Sequence, residues 1–389
     1  MAVDAYKRLA KHLDKLPGGF PPTESGVELR ILRRLFSPEE ADLAVNLSLI
    51  PEAPRVIARR AGLSPGEAAR RLEDMSRKGL IYRIARQGRE TLYMAAQYVI
   101  GIWEYHVNDL DPGLIRDMNE YVPALMDPEA WKKAPQLRTI PVGRSISAPM
   151  EVLAHENAEE LVRGHKKFLV APCICRRERK MVGEGCDKPE ETCLVFGSAA
   201  DYYAQNGLGR YIDLEETLEI LRTAEKAGLV LQPSNSQRIV NICCCCGCCC
   251  QILKALKSYP RPAEIVSTPF IAEADPDSCK GCGVCVDRCQ VEALRMVEDR
   301  VALDRDRCIG CGLCVSTCPT KSLTLVRKPE SEQHRVPPNM TQAAIEVGRA
   351  RGKLGPLSLA GMQLRSKFDR LLAARSEPRD EGSPPRGVR

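Results

Sequence analysis

Two stretches of this chain repeat one cysteine spacing. Residues 279–289 read Cys-Lys-Gly-Cys-Gly-Val-Cys-Val-Asp-Arg-Cys, and residues 308–319 read Cys-Ile-Gly-Cys-Gly-Leu-Cys-Val-Ser-Thr-Cys-Pro. Both are Cys-x2-Cys-x2-Cys-x3-Cys. Each follows an Asp-containing turn and precedes an apolar segment that reads as a strand, "ALRMV" and "SLTLV". Thiolates two residues apart on a tight loop can each reach a different iron of one cubane. Glycines between them let backbone N–H groups approach inorganic sulfide. A Cys-x2-Cys pair alone would suit tetrahedral zinc, but two identical four-cysteine motifs make that reading remote.

The duplication resembles the two-cluster bacterial-type ferredoxins over residues 271–327. The resemblance implies a pseudo-symmetric α+β unit with two [4Fe–4S] clusters, in which the fourth cysteine of each motif ligates the other cluster. Carried over, Cys279, Cys282, Cys285 and Cys318 hold one cluster. Cys308, Cys311, Cys314 and Cys289 hold the second. That family places Pro after the fourth cysteine. Pro319 keeps the pattern, whereas Gln290 breaks it by restoring an N–H and adding an amide beside the second cluster.

Eleven further cysteines lie upstream. "APCICRRERKMVGEGCDKPEETCLVFG" supplies Cys173, Cys175, Cys186 and Cys193 in a loop rich in Gly and Pro. The run 176–180, Arg-Arg-Glu-Arg-Lys, would offset an anionic cluster. "NICCCCGCCCQ" at 241–251 supplies Cys243, Cys244, Cys245, Cys246, Cys248, Cys249 and Cys250, seven cysteines in eight positions. The stretch follows the apolar "SQRIV", expected as a strand, and precedes the expected helix "QILKALKSY". Alternation along a strand would put Cys243 and Cys245 on one face, and Cys244 and Cys246 on the other. Seven neighbouring thiolates cannot share one metal, so two to four are expected to coordinate, alone or together with the 173–193 loop. One or two additional iron–sulfur clusters, a zinc site and ordinary buried cysteines all remain open here. His155 and His165 lie near these loops in charged, helical surroundings and read as surface residues.

The totals set the frame for these sites. The chain has 389 residues, 44% hydrophobic and 28% charged, with 19 cysteines and net charge +6. No apolar run approaches the ~18 residues that cross a bilayer, and the charged N-terminus does not read as a signal peptide. A cytoplasmic protein without membrane insertion is expected, and its cysteines then point to metal rather than disulfides.

Four regions follow: 1–105, 106–270, 271–327 and 328–389. In the first, Ser37-Pro38-Glu39-Glu40 and Ser64-Pro65-Gly66-Glu67 predict capped helices, the second running to Lys78 and stopping at Gly79. "LIYRIA" and "ETLYMA" then predict a hairpin. Helices followed by a hairpin resemble a winged helix-turn-helix over about 25–97, with Val56, Ile57, Ala61, Leu63, Ala68, Leu72, Met75, Leu80 and Ile81 as its core. Arg70, Arg71, Arg77, Lys78 and Arg89 could face DNA, although Gly66 and Glu67 at the helix start suit protein docking better. Residues 328–389 hold 12 Lys/Arg against 7 Asp/Glu and end in a Pro-, Gly- and Arg-rich run. They are expected to be largely disordered, with one helix whose stripe Leu357, Met362, Leu364, Phe368 and Leu371 docks on the protein's own core.

The fold expected is a multidomain α+β chain: a winged-helix N-terminal domain, a Cys-rich α/β middle domain and a double-cluster ferredoxin-type domain. That order resembles a set of 4Fe–4S-binding proteins of anaerobic bacteria. The function expected is electron transfer to or from a redox partner protein or oxidoreductase complex. A redox-sensing DNA-binding regulator and an iron–sulfur subunit of a catalytic oxidoreductase are the alternatives.

Overall fold

The computed structural model describes residues 4–146 and 150–375. The chain opens with helices Ala5–Asp14, Val27–Leu35, Pro38–Ala44, Pro54–Ala61 and Pro65–Arg77, followed by the antiparallel hairpin Tyr82–Ile84 with Leu92–Met94. The caps form as the sequence predicts. Ser37 Oγ accepts from Glu40 N at 3.2 Å while Glu40 Oε2 accepts from Ser37 N at 2.8 Å, and Ser64 Oγ accepts from Glu67 N at 3.2 Å. Val56, Ile57, Ala68, Leu72, Met75, Leu80 and Ile81 are all buried. Ala61 and Leu63 are half-buried against the same core.

The middle region is built on a five-stranded sheet in the order Arg210–Ile212, Phe168–Pro172, Glu191–Phe196, Asn241–Cys245, Val230–Pro233. Every neighbouring pair is antiparallel. The region is therefore α+β rather than the α/β unit expected. The reason lies in its connections. Helix Ile174–Met181 leaves one sheet end, and the following loop returns to that same end, where Cys173 N donates to Glu190 O at 2.8 Å. A helix out and a loop back bring the next strand in antiparallel. The expected strand "SQRIV" is displaced: residues 241–245 are the strand, so the cysteines themselves form the ladder. Helix Gln251–Ser258 follows as expected.

In the 271–327 region, Phe270–Ala274 pairs with Leu323–Arg327, and Leu294–Val297 pairs with Arg300–Leu303, both antiparallel. A short helix, Val284–Arg288, follows the first cysteine loop, and the 3-10 turn Val315–Thr317 follows the second. This unit is seated on the middle region by backbone acceptors. Arg288 donates to Glu225 O at 2.6 Å, Arg307 to Tyr259 O at 3.3 Å and to Lys257 O at 3.1 Å, and Val142 N to Cys311 O at 3.1 Å.

Beyond residue 328 the chain carries two helices, Met340–Ala350 and Pro356–Arg375, more order than the composition suggests. The basic end, 376–389, lies outside the described residues. The expected docking of the apolar stripe is overturned. Leu357, Leu364, Phe368 and Leu371 are 89, 67, 60 and 64% exposed, and only Met362 turns inward. The helix is anchored instead by Ser366, Asp369 and Ala373, all buried against helix Pro54–Ala61 and its approach. Arg60 explains this choice. It is nearly buried, and it binds Glu52 at 2.5 Å and Asp369 at 2.6 Å, while Ser366 Oγ donates to Glu52 at 2.6 Å. A buried ion pair is tolerated only when its remaining hydrogen-bonding sites are filled, and the C-terminal helix fills them. No helix among the described residues is long and apolar enough to cross a membrane.

Candidate metal centre

The two repeated motifs fold as loops, and the second draws one cysteine from the first. Cys308, Cys311 and Cys314 surround a small apolar cavity with Ala272, Leu294, Ile309 and Leu313, and the fourth cysteine on its wall is Cys289, from the other motif. Gly310 permits the loop its shape: its φ is +64°, and a Cβ there would lie 2.2 Å from Phe270 O. Backbone N–H groups point at sulfur, from Ala272 to Cys308 Sγ at 3.4 Å and from Ala293 to Cys289 Sγ at 3.1 Å. Burial pushes the Cys311 thiol up to about 12, and those of Cys308 and Cys314 upward as well. Without a metal these sulfurs are held as neutral thiols, and metal binding displaces their protons.

In the first loop, Cys279, Cys282 and Cys285 are electrostatic neighbours, and Gly281 N donates to Cys279 Sγ at 3.5 Å. Cys282 is exposed, so this loop is the wetter of the two. Cys318 lies 3.2 Å from Ser322 Oγ and 3.7 Å from Thr320 Oγ1. Burial raises its thiol, but those hydroxyls and nearby N–H groups outweigh it and bring it down to about 7.

The eleven upstream cysteines divide into two groups that cut across both sequence stretches. The larger is a chain of neighbours, Cys173, Cys175, Cys250, Cys245, Cys243 and Cys193, bent around a cavity of about 90 Å³. Strand register explains part of it. Cys193 stands directly across the ladder from Cys243, and Cys245 follows two residues on, on the same face. Helix starts explain the rest. Cys173 and Cys250 are the N-cap residues of helices Ile174–Met181 and Gln251–Ser258, whose free N–H groups favour negative sulfur. Hydrogen bonds from their thiol neighbours hold Cys173, Cys243 and Cys250 below the usual thiol range, and the same bonds drive Cys175, Cys193 and Cys245 above it. Val99, Ile100, Trp103, Glu104, Met118 and Ile252 are among the other residues of the wall.

The smaller group is Cys186, Cys246, Cys248 and Cys249, whose Sγ atoms all lie within 4.8 Å of one another. Cys186 comes from the return loop, and the other three from the turn after the strand. Cys244 also lines the cavity of the larger group but joins neither set of sulfurs: its thiol is pushed up by burial, and it packs as a small apolar residue.

Of the basic run, only Arg176 reaches the sulfurs. Fully buried, it donates to Cys244 O at 3.1 Å and approaches Cys246 Sγ at 3.7 Å. Burial disfavours its charge, but the sulfurs of Cys173, Cys246 and Cys245 more than restore it. Arg177 and Lys180 turn away to Glu190, and Arg179 to Glu184. His155 and His165 line neither group. His155 is half-buried, and His165 stacks on Phe196 at 4.7 Å.

Residues 272–325 match the 4Fe-4S dicluster domain family. This segment is ferredoxin-like. The match leaves most of the chain outside it, and no curated protein and no solved structure matches the chain. The donor set agrees with the family's cofactor: four thiols share one apolar cavity in the dicluster domain, with N–H groups aimed at their sulfurs. Bound there, iron–sulfur clusters supply one-electron redox chemistry.

The dicluster domain meets the cysteine-rich turn through a residue whose partner no sequence pattern indicated. Gln290 Oε1 accepts from Gly247 N at 2.8 Å, and Gln290 Nε2 donates to Arg288 O at 3.2 Å. The break in the proline pattern was the only sign of it.

Proposed function

We propose that this protein is an iron–sulfur electron-transfer protein that relays electrons to or from a redox partner. In this reading Cys279, Cys282, Cys285 and Cys318 bind one [4Fe–4S] cluster, and Cys308, Cys311, Cys314 and Cys289 bind the second. A further iron–sulfur centre sits among Cys173, Cys175, Cys193, Cys243, Cys245 and Cys250. The observation that carries the reading is Cys289 standing with Cys308, Cys311 and Cys314 around one cavity although it belongs to the other motif.

The chain's own residues outline a path. The exposed Cys282 and the exposed Val284 beside it offer the partner a surface close to the first cluster. From Cys289 the path to Cys245 needs three peptide links and one hydrogen bond, through Gln290, Gly247 and Cys246. The helical N-terminal region with its hairpin serves as the docking module. Its basic residues support docking on protein over DNA: Arg71 and Arg77 pair with Glu67 and Glu73, and Lys78 with Glu40.

Iron and acid-labile sulfide analysis of the anaerobically purified chain tests this. More than eight iron atoms per chain are expected, and Cys289→Ala should lose about four of them with one reducible paramagnetic signal. Eight or fewer in the parent would remove the further centre. An unchanged count in the variant would remove the crossed ligation. Binding to promoter DNA that survives moderate salt and changes with cluster oxidation would replace the relay with the regulator.

A further inference from the structure

We propose that Cys186, Cys246, Cys248 and Cys249 bind one tetrahedral metal ion through four thiolates, as a mononuclear centre separate from the iron–sulfur centre in the six-cysteine chamber. This rests on the relay reading only in assigning the chamber to a cluster.

Sulfur spacing carries the argument. Four thiolates around one ion at a metal–sulfur distance of ~2.3 Å stand about 3.8 Å apart along the edges of the tetrahedron. Here Cys186 and Cys246 are 4.0 Å apart, Cys186 and Cys249 3.6 Å, and Cys248 and Cys249 3.8 Å. Thiolates of a cubane each bind a different iron, so they stand farther apart than thiolates sharing one ion. The molecule supplies its own control. The cysteines of the dicluster domain form no group this compact, nor do the six of the chamber, nor any other set of three or more metal-ligating side chains among the described residues.

The surroundings agree. The Cys249 N–H faces the Cys246 sulfur, and Arg176 Nη1 stands 3.7 Å from it. A divalent ion with four thiolates is doubly negative, and the buried Arg176 guanidinium beside Cys246 offsets part of that charge. All four positions are filled by protein, as in a closed structural site rather than an open catalytic one. The ion would clamp the return loop, through Cys186, to the turn that carries Gly247 and so to Gln290. Tetrahedral sulfur ligation suits zinc or a single iron.

Metal and acid-labile sulfide are measured on the full chain and on Cys248→Ser, the exposed member and the least disturbing change. The variant is expected to lose about one metal atom with sulfide unchanged. Loss of zinc identifies a zinc site, and loss of iron an iron site. Loss of several irons together with sulfide, or no loss of metal, overturns the proposal. Cobalt(II) exchanged into the parent protein under conditions that leave its acid-labile sulfide unchanged gives a readout independent of the variant's folding: intense visible bands of tetrahedral thiolate cobalt support the site, and their absence refutes it. Failure here leaves the eight cysteines and the iron count of the dicluster domain untouched, so it is distinguishable from failure of the relay.

Discussion

Gln290 and Gly247 interlock. The side-chain oxygen of Gln290 accepts the Gly247 N–H at 2.8 Å, and its carbonyl oxygen lies 2.2 Å from where a Cβ on residue 247 would stand. The seam between the dicluster domain and the cysteine-rich turn therefore depends on a missing side chain on one partner and an amide on the other. Gly247→Ala should force the two backbones apart and destabilise the chain by about 1–3 kcal/mol, read as a lowered thermal midpoint. Gln290→Leu leaves the Gly247 N–H without its acceptor, at a cost of about 1–3 kcal/mol. It should slow electron transfer between the two regions in pulse-reduction kinetics while leaving the iron content unchanged. Equal rates in parent and variant would exclude this route.

Among the described residues, Arg176 is the one fully buried cation beside the upstream sulfurs. Arg176→Met should make reduction of the proposed iron–sulfur centre in the six-cysteine chamber less favourable, since the added electron loses its compensating charge. A change of about 1.4 kcal/mol corresponds to ~59 mV for one electron, and a downward shift of that order is expected in an EPR-monitored redox titration. An unchanged or raised potential would contradict the arrangement.

Arg60 lies between two carboxylates. Arg60→Met leaves the buried Glu52 without its cation, and Asp369 with only the more distant Arg59 and Arg365, and should cost about 3–5 kcal/mol. Its neighbour Arg59 is 43% exposed and stands 3.9 Å from Asp369, so Arg59→Met should cost under about 1 kcal/mol. Chemical denaturation of the two variants gives the comparison.

His12 contributes a pH dependence in the acid range. Burial holds its imidazole down at about 4, and its Nε2 has no partner. Its folded pKa lies below its unfolded value of about 6.5, so the unfolded chain binds more protons between the two. The stabilisation is complete above about 6.5 and is lost as pH falls towards 4, with a slope of at most ~1.4 kcal/mol per pH unit. His12→Gln should flatten the stability profile in that window.

Local chemistry was readable in the sequence wherever it acts over a few residues. The capped starts at Ser37 and Ser64, the hairpin and the two repeated cysteine loops all depend on neighbours within a turn or two. The partition of the eleven upstream cysteines did not. It depends on Cys193 meeting Cys243 across a ladder and on a return loop delivering Cys186 to the turn at 246–249. Those contacts join residues 50 to 63 positions apart. Alternation along the strand did separate Cys243 and Cys245 from Cys244. The C-terminal helix misled for a different reason. Its leucines suggested the buried face, but Arg60 needed Asp369, and Ser366 was needed by Glu52, so polar partners decided the side that docks.

The cysteine order along the chain has a consequence for maturation. Cys173 and Cys175 belong to the chamber, Cys186 to the compact group, Cys193, Cys243 and Cys245 to the chamber, Cys246, Cys248 and Cys249 to the compact group, and Cys250 to the chamber again. Neither group is complete on an emerging polypeptide until residue 249 or 250 has left the ribosome and the sheet has zipped. Whichever site loads first then pre-arranges the other through a single peptide link at 245–246 and another at 249–250. If both proposed sites load, the second should follow closely on the first, late in biogenesis.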